Sequence, residues 1–191
     1  MADVVDLIKA QHRAMDDLLG QAQEAEPDQV RELLQRVADL LLPHSEAEES
    51  FVYPAIRAYD PSEDAEVDDG AAEHHHIEAL MRELLAEDPA GPGYDGKLAA
   101  LVAELRHHVE EEEQDLLPVL SEQADDDERE ELGTRFAEVT GHRLEDAVEG
   151  SGSGSGREPT RDELYAQARR ADVPGRSSMT KDELAEALDE G

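Results

Sequence analysis

Apolar residues in the first 149 positions recur every three or four places, and strand-like alternation is nearly absent. Val4, Leu7, Ile8, Met15, Leu18 and Leu19 form one helical stripe, which ends at Pro27-Asp28. A second stripe of Val30, Leu33, Leu34, Val37, Leu40 and Leu41 runs on toward Tyr53-Pro54. Pro43 lies inside it and predicts a kink or a division just before His44, because proline lacks an amide proton and its ring clashes with the preceding turn. Asp60-Pro61-Ser62 closes that unit. A third helix is expected from about Ala65 through Ile77, Leu80, Met81, Leu84 and Leu85, followed by a loop from Asp88 to Gly93. A fourth carries Leu98, Leu101, Val102, Leu105, Val109, Leu116 and Leu117, and a weaker fifth covers about Glu128 to Val148. Long amphipathic helices joined by short breaks predict an all-α protein. Its body, residues 1–149, is an up-down four-helix bundle with a fifth C-terminal helix. With two Phe and no Trp, its core is modest and aliphatic.

Residues 150–157 are a Gly/Ser tether. Residues 158–191 read as a small helix-extended-helix module, with Thr180 and Glu183 as a capping box on its second helix. The chain carries 50 acidic and 17 basic residues, a formal charge of −33 that repels nucleic acid and anionic membranes and attracts cations. The tail is nearly balanced, so the acid is concentrated in the body. There is no Cys, which excludes disulfides, thiolate metal sites and Cys nucleophiles. The opening residues lack the layout of a signal peptide, and no apolar run approaches the ~20 residues of a membrane span, so the expectation is a cytoplasmic protein without a membrane partner. No P-loop, dinucleotide fingerprint or Ser-His-Asp set is present, which argues against hydrolase and nucleotide chemistry.

The sharpest feature is a repeat of the form His-x3-Glu-x5-Pro. It occurs as His44, Glu48 and Pro54, and again as His108, Glu112 and Pro118. A His and a Glu four residues apart share one helix face, and two such faces turned together surround one point with two imidazoles and two carboxylates. His12 falls on the inward stripe between Ile8 and Met15, and His74 precedes Ile77 and Met81 on another. Four imidazoles on four inward faces are costly unless their polar groups are satisfied. His75, His76, His107 and His142 read as surface residues, and the run Glu110 to Glu113 reads mostly as a solvated face.

These residues resemble the hemerythrin-like, or HHE cation-binding, domains, over about residues 1–149. The resemblance lies in His12, His44-x3-Glu48, His74 and His108-x3-Glu112, and in the phrases Glu48-Glu-Ser-Phe-Val-Tyr-Pro54 and Glu112-Glu-Gln-Asp-Leu-Leu-Pro118. It implies two iron ions in a non-haem centre, with Glu48 and Glu112 bridging or capping them and His12, His44, His74 and His108 as terminal ligands. The oxygen carriers of that family have a second His four residues after the third-helix His, where this chain has Glu78. Glu78 is thus either a ligand or the neighbour of an open, water-filled position, and the run His74-His75-His76 leaves the register of that helix open. Nitrogen and oxygen donors without sulfur suit iron and also accommodate zinc or manganese. The tail resembles Rho N-terminal and SAP-like modules. Arg169, Arg170, Arg176 and Lys181 form its candidate nucleic-acid patch; the alternative is an appendage for protein interaction or solubility.

The expected function is therefore a di-iron protein that binds or senses a small ligand such as oxygen, nitric oxide or peroxide. The alternatives are iron storage or buffering without redox turnover, and a helical interaction scaffold whose tail contacts DNA or protein.

Overall fold

The computed structural model describes residues 2–141 and Thr180. Helix α1 spans Val4–Glu24, and Asp3 caps it by accepting from the Val5 amide. Helix α2 spans Pro27–Ala47, with Pro27 at its first turn, where a missing amide proton costs nothing. It passes into a π-turn, Glu48–Val52, and then α3, Tyr53–Tyr59. A 3₁₀ turn, Pro61–Glu63, leads into α4, Asp64–Ala86. Gly93, at φ 85°, takes the left-handed conformation from which α5, Tyr94–Glu111, departs. A second π-turn, Glu112–Leu116, joins α5 to α6, Leu117–Gln123. Helix α7, Asp126–Thr140, starts from a reciprocal capping box between Asp125 and Glu128.

Among the described residues the fold is all-α, with no strand. Four rods form the bundle: α1, α2–α3, α4 and α5–α6. They touch in the cyclic order α1, α2, α4, α5 and back to α1, and α7 packs on α1 and α2. The helix through Pro43 is not divided there. Leu40, Leu41 and His44 stay buried on one continuous face, and the irregularity falls later, at Glu48. The fifth helix ends at Thr140 within the described residues; its expected continuation, the tether and the C-terminal module lie outside them.

The core is split in two. One apolar cluster includes Met15, Leu19, Leu34, Val37, Leu41, Ile77, Met81, Leu101 and Leu105. The other includes Val4, Ile8, Val52, Tyr53, Ile56, Val67, Leu117, Leu120 and Phe136. On each rod a buried His lies where one cluster gives way to the other. A polar layer is therefore clamped between two apolar blocks, and burial of those blocks supplies the drive that keeps it dehydrated.

Helix α7 comes closest at Gly133, where a Cβ would lie 2.1 Å from the Ala2 carbonyl oxygen. Gly133→Ala is expected to lower stability by about 1–3 kcal/mol, since backbone has to move. Gly20, inside α1, has nothing within 4 Å of an added Cβ, and Gly20→Ala is expected to stabilise by about 0.5–1 kcal/mol. Urea midpoints of the two variants, moving in opposite directions, check both.

Candidate metal centre

Helical spacing alone brings His12, His44, His74 and His108 together from four rods, and each is at most 2% exposed. The two carboxylates of the repeat join them: Glu48 is 0% and Glu112 1% exposed. Two overlapping donor groups result. His12, His44, Glu48 and Glu112 form one; Glu48, His74 and His108 form the other; Glu48 belongs to both. His12 Nε2 lies 3.1 Å from Glu112 Oε2, His44 Nε2 3.1 Å from Glu48 Oε1, and His74 Nε2 3.2 Å from Glu48 Oε2. Donors sharing a cation at about 2.1 Å sit roughly 3.0–3.4 Å apart, so these separations fit. Both oxygens of Glu48 and of Glu112, and Nε2 of His12 and His44, have no well-aligned hydrogen bond.

The outer nitrogens explain why the inner ones point inward. His12 Nδ1 bonds Glu113 Oε1 at 2.9 Å, His44 Nδ1 bonds Gln11 Oε1 at 2.9 Å, His74 Nδ1 bonds Glu49 Oε1 at 3.2 Å, and His108 Nδ1 bonds Glu73 Oε2 at 3.0 Å. Carboxylate and amide oxygens only accept, so each Nδ1 carries a proton and each Nε2 is turned to the centre. Each buttress comes from the preceding rod in the cycle: Gln11 on α1 holds the α2 histidine, Glu49 that of α4, Glu73 that of α5, and Glu113 that of α1. Each also neighbours an inner residue in sequence, before His12 and His74 or after Glu48 and Glu112.

One contact shows what this arrangement demands. His74 Nε2 and His108 Nε2 are 3.0 Å apart, with both Nδ1 protons directed outward to carboxylates. Two lone pairs at that distance require a cation between them, either an extra proton or a metal ion. The chain belongs to the hemerythrin HHE cation-binding family. Residues 3–120 match the family described as "Hemerythrin HHE cation binding domain", a span that contains all six inner residues. A curated relative described as "DNA nickase", from Nostoc sp. (strain PCC 7120 / SAG 25.82 / UTEX 2576), is 23% identical over 156 residues. The match covers 81% of this chain and 43% of that protein, so the chain spans less than half the length of this relative. No solved structure matches significantly.

Within this hemerythrin-family centre, Glu78 stands apart. The buried positions of α4 are Val67, Gly70, His74, Ile77, Met81 and Leu84, so the inward step after His74 is three residues, not four. Glu78 is 20% exposed, and its nearest charged partner is Arg82 at 3.7 Å. His75, His76 and His107 are exposed, which leaves His74 as the inward member of its run; His142 lies outside the described residues. Sequence reading missed the four buttresses, and it missed Tyr53. That ring is 2% exposed and stacks on His74 with centroids 5.7 Å apart and planes within 4°. Its hydroxyl has no well-aligned partner, and burial with the charges of Glu112 and Glu48 keeps it protonated. A Cβ on Gly70 would meet that hydroxyl at 3.0 Å, so the small residue makes room for it.

The charges of the metal-free centre follow from burial and neighbours. Burial opposes a charge on His74, but its contacts with Glu48 and Glu49 override this and hold it up at about 10. Burial likewise opposes a charge on His12, and Glu112 overrides it, so His12 is raised. Burial and the nearby His12 hold His44 well below the usual imidazole range, so it is neutral. Burial and the Glu112 charge push Glu48 up to about 7, whereas His12 holds Glu112 down at about 2 against its burial. Glu48 and Glu112 behave as a linked pair that does not ionise fully without a cation. Protons thus stand among the inward-facing imidazoles and carboxylates. Because the raised groups bind protons at pH 7, metal loading is expected to release them, and apparent affinity is expected to rise from pH 6 to pH 8. Titration calorimetry with Zn²⁺ in buffers of different ionisation enthalpy checks this; a pH-independent affinity with no proton release is the contrary result.

Proposed function

We propose that the protein is a non-haem di-iron protein that binds or senses a small ligand: oxygen, nitric oxide or peroxide. The carrying observation is the pair of donor groups sharing Glu48, each built from buried imidazoles and carboxylates. His12, His44, Glu48 and Glu112 would hold one ion, and His74, His108 and Glu48 the other. Two such ions supply Lewis acidity and, as iron, one-electron redox change. The chain's own part is to exclude bulk water, fix four imidazole tautomers and hold carboxylates where charge changes. The Tyr53 hydroxyl adds a protonated, buried hydrogen-bond donor beside Glu112. Three outer carboxylates behind the imidazoles raise their donor strength and, with Glu48 and Glu112, stabilise a more highly charged metal. That favours ligand chemistry or sensing over reversible oxygen carriage.

Iron storage is the competing reading, and tail-borne contact with DNA is a separate one. The latter draws on the patch of Arg169, Arg170, Arg176 and Lys181 and on the likeness to a protein named a DNA nickase, over less than half of that protein. No helix among the described residues is long and apolar enough to cross a membrane.

Purified protein reconstituted with iron is expected to hold two ions per chain and to change its optical spectrum on addition of oxygen, peroxide or nitric oxide. Storage predicts a larger, variable iron content and a spectrum indifferent to nitric oxide. His44→Ala and His108→Ala are each expected to lower the iron count, whereas Glu78→Gln leaves it at two. Iron bound equally by wild type and both His variants overturns the assignment.

A further inference from the structure

A third group of metal-type donors lies at the surface of α4 and α5. His107 Nε2 is 3.4 Å from Glu111 Oε1, one helical turn along the same face, and 4.0 Å from Glu73 Oε1 across the interface. One ligand atom from each of these three lies within 4.8 Å of the others. Glu73 is 26% exposed, whereas His107 and Glu111 are about half exposed. Glu73 faces two ways: one oxygen is turned to His107, and the other accepts from Nδ1 of the buried His108 at 3.0 Å.

Beside this group a narrow cleft enters the bundle, with about 10 Å³ of space for a water-sized sphere, enough for one small species at a time. Gly70, Glu73, His108 and Glu112 line it on the way in. Glu112 is 1% exposed and its oxygens have no well-aligned hydrogen bond, only the His12 Nε2 contact at 3.1 Å, so the cleft reaches a buried carboxylate with lone pairs to spare. Glu66, Glu111 and Asp115 add three carboxylates to the lining, and no Lys or Arg is among the residues that line it. Low-dielectric walls bearing one sign of charge concentrate counter-ions. The opposite approach, between α1 and α5, differs in character. That groove is wider, about 480 Å³, and mixed in charge: Arg13 and Arg106 stand in its wall with Asp16, Glu110 and Glu113, Arg106 pairing with Asp16 at 2.6 Å and Glu113 with His12 at 2.9 Å.

We propose that Glu73, His107 and Glu111 form a capture site for a divalent cation, which delivers it through the Gly70 cleft to the buried centre. The inference rests on reading that centre as a metal site. One imidazole and two carboxylates, half open to water, bind Fe²⁺, Mn²⁺, Co²⁺ or Zn²⁺ weakly, as a transit site requires. The shared carboxylate of Glu73 links the captured ion to the histidine that receives it.

The test uses full-length metal-free protein and Co²⁺ alone, with uptake followed by visible d–d absorption in stopped flow and final content by elemental analysis. The double variant His107→Ala/Glu111→Gln changes only exposed side chains, and its fold is checked by circular dichroism. It is expected to load at least tenfold more slowly at sub-saturating Co²⁺ yet reach the wild-type metal content. Glu110→Gln, which removes one charge from the α1/α5 groove, is expected to load at the wild-type rate. An unchanged rate in the double variant overturns the proposal, as does a lower final content, which would make these residues part of the centre itself. A wild type that takes up no Co²⁺ instead refutes the reading of the buried centre.

Discussion

The 3.0 Å approach of His74 Nε2 to His108 Nε2 is the constraint on which the rest of the structure depends. Two imidazoles whose other nitrogens give protons to carboxylates cannot sit that close without positive charge between them. The same demand recurs where His12 and His44 meet Glu112 and Glu48, in a layer almost wholly withdrawn from water. The isolated cost of such a layer is several kcal/mol per uncompensated group. It persists because apolar clusters on both sides bury the helices that carry it, and because protons replace a metal when none is bound. The arrangement is thus biased toward cation binding before any cation arrives.

The buttresses make that bias rigid. In the cycle α1, α2, α4, α5, each rod gives one imidazole to the centre and one outer acceptor to the next rod's imidazole. A rotation of any rod about its axis therefore breaks two bonds at once, its own and its neighbour's. Three of the acceptors are carboxylates and one, Gln11, is an amide. His44, with the neutral buttress, is also the histidine held well below the usual range, while His74, with Glu49 behind it, is held above. His44 and His74 are thus unequal in basicity, although the repeat that generates half of the layer is nearly symmetric.

What the sequence disclosed and what it concealed divide along the same physical line. Inward residues obey the helical period, so the convergence of His12, His44, Glu48, His74, His108 and Glu112 was readable from spacing and the shared proline. Glu78 was placed by a four-residue step, but helix α4 steps inward by three after His74, and Ile77 takes the buried position. The buttresses were hidden because they do not lie on their own helix's inward stripe; each is rotated one residue away and is satisfied by a different rod. In a chain with 50 acidic residues, Glu49, Glu73 and Glu113 look like ordinary surface charge until the neighbouring helix is in place. A Glu or Gln directly adjacent to an inward His or Glu was the available signal.

The repeat's proline has a role that spacing alone did not reveal. Both copies end in a π-turn, in which the amide of Tyr53 bonds the Glu48 carbonyl and that of Leu117 bonds the Glu112 carbonyl, five residues back. The wider turn relieves the clash of Pro54 and Pro118 with the preceding carbonyls, which an α-helix would suffer. It also changes which residue stands one turn beyond the ligand. In an unbroken α-helix Val52 would follow Glu48 by one turn; with the extra residue Tyr53 does, and its ring reaches His74. On the other rod the same shift delivers Leu117, an apolar residue. The paired π-turns thus use one backbone device to place a phenol on one side of the centre and a hydrocarbon on the other. The asymmetry begun by Gln11 on the outer ring is repeated above the inner one.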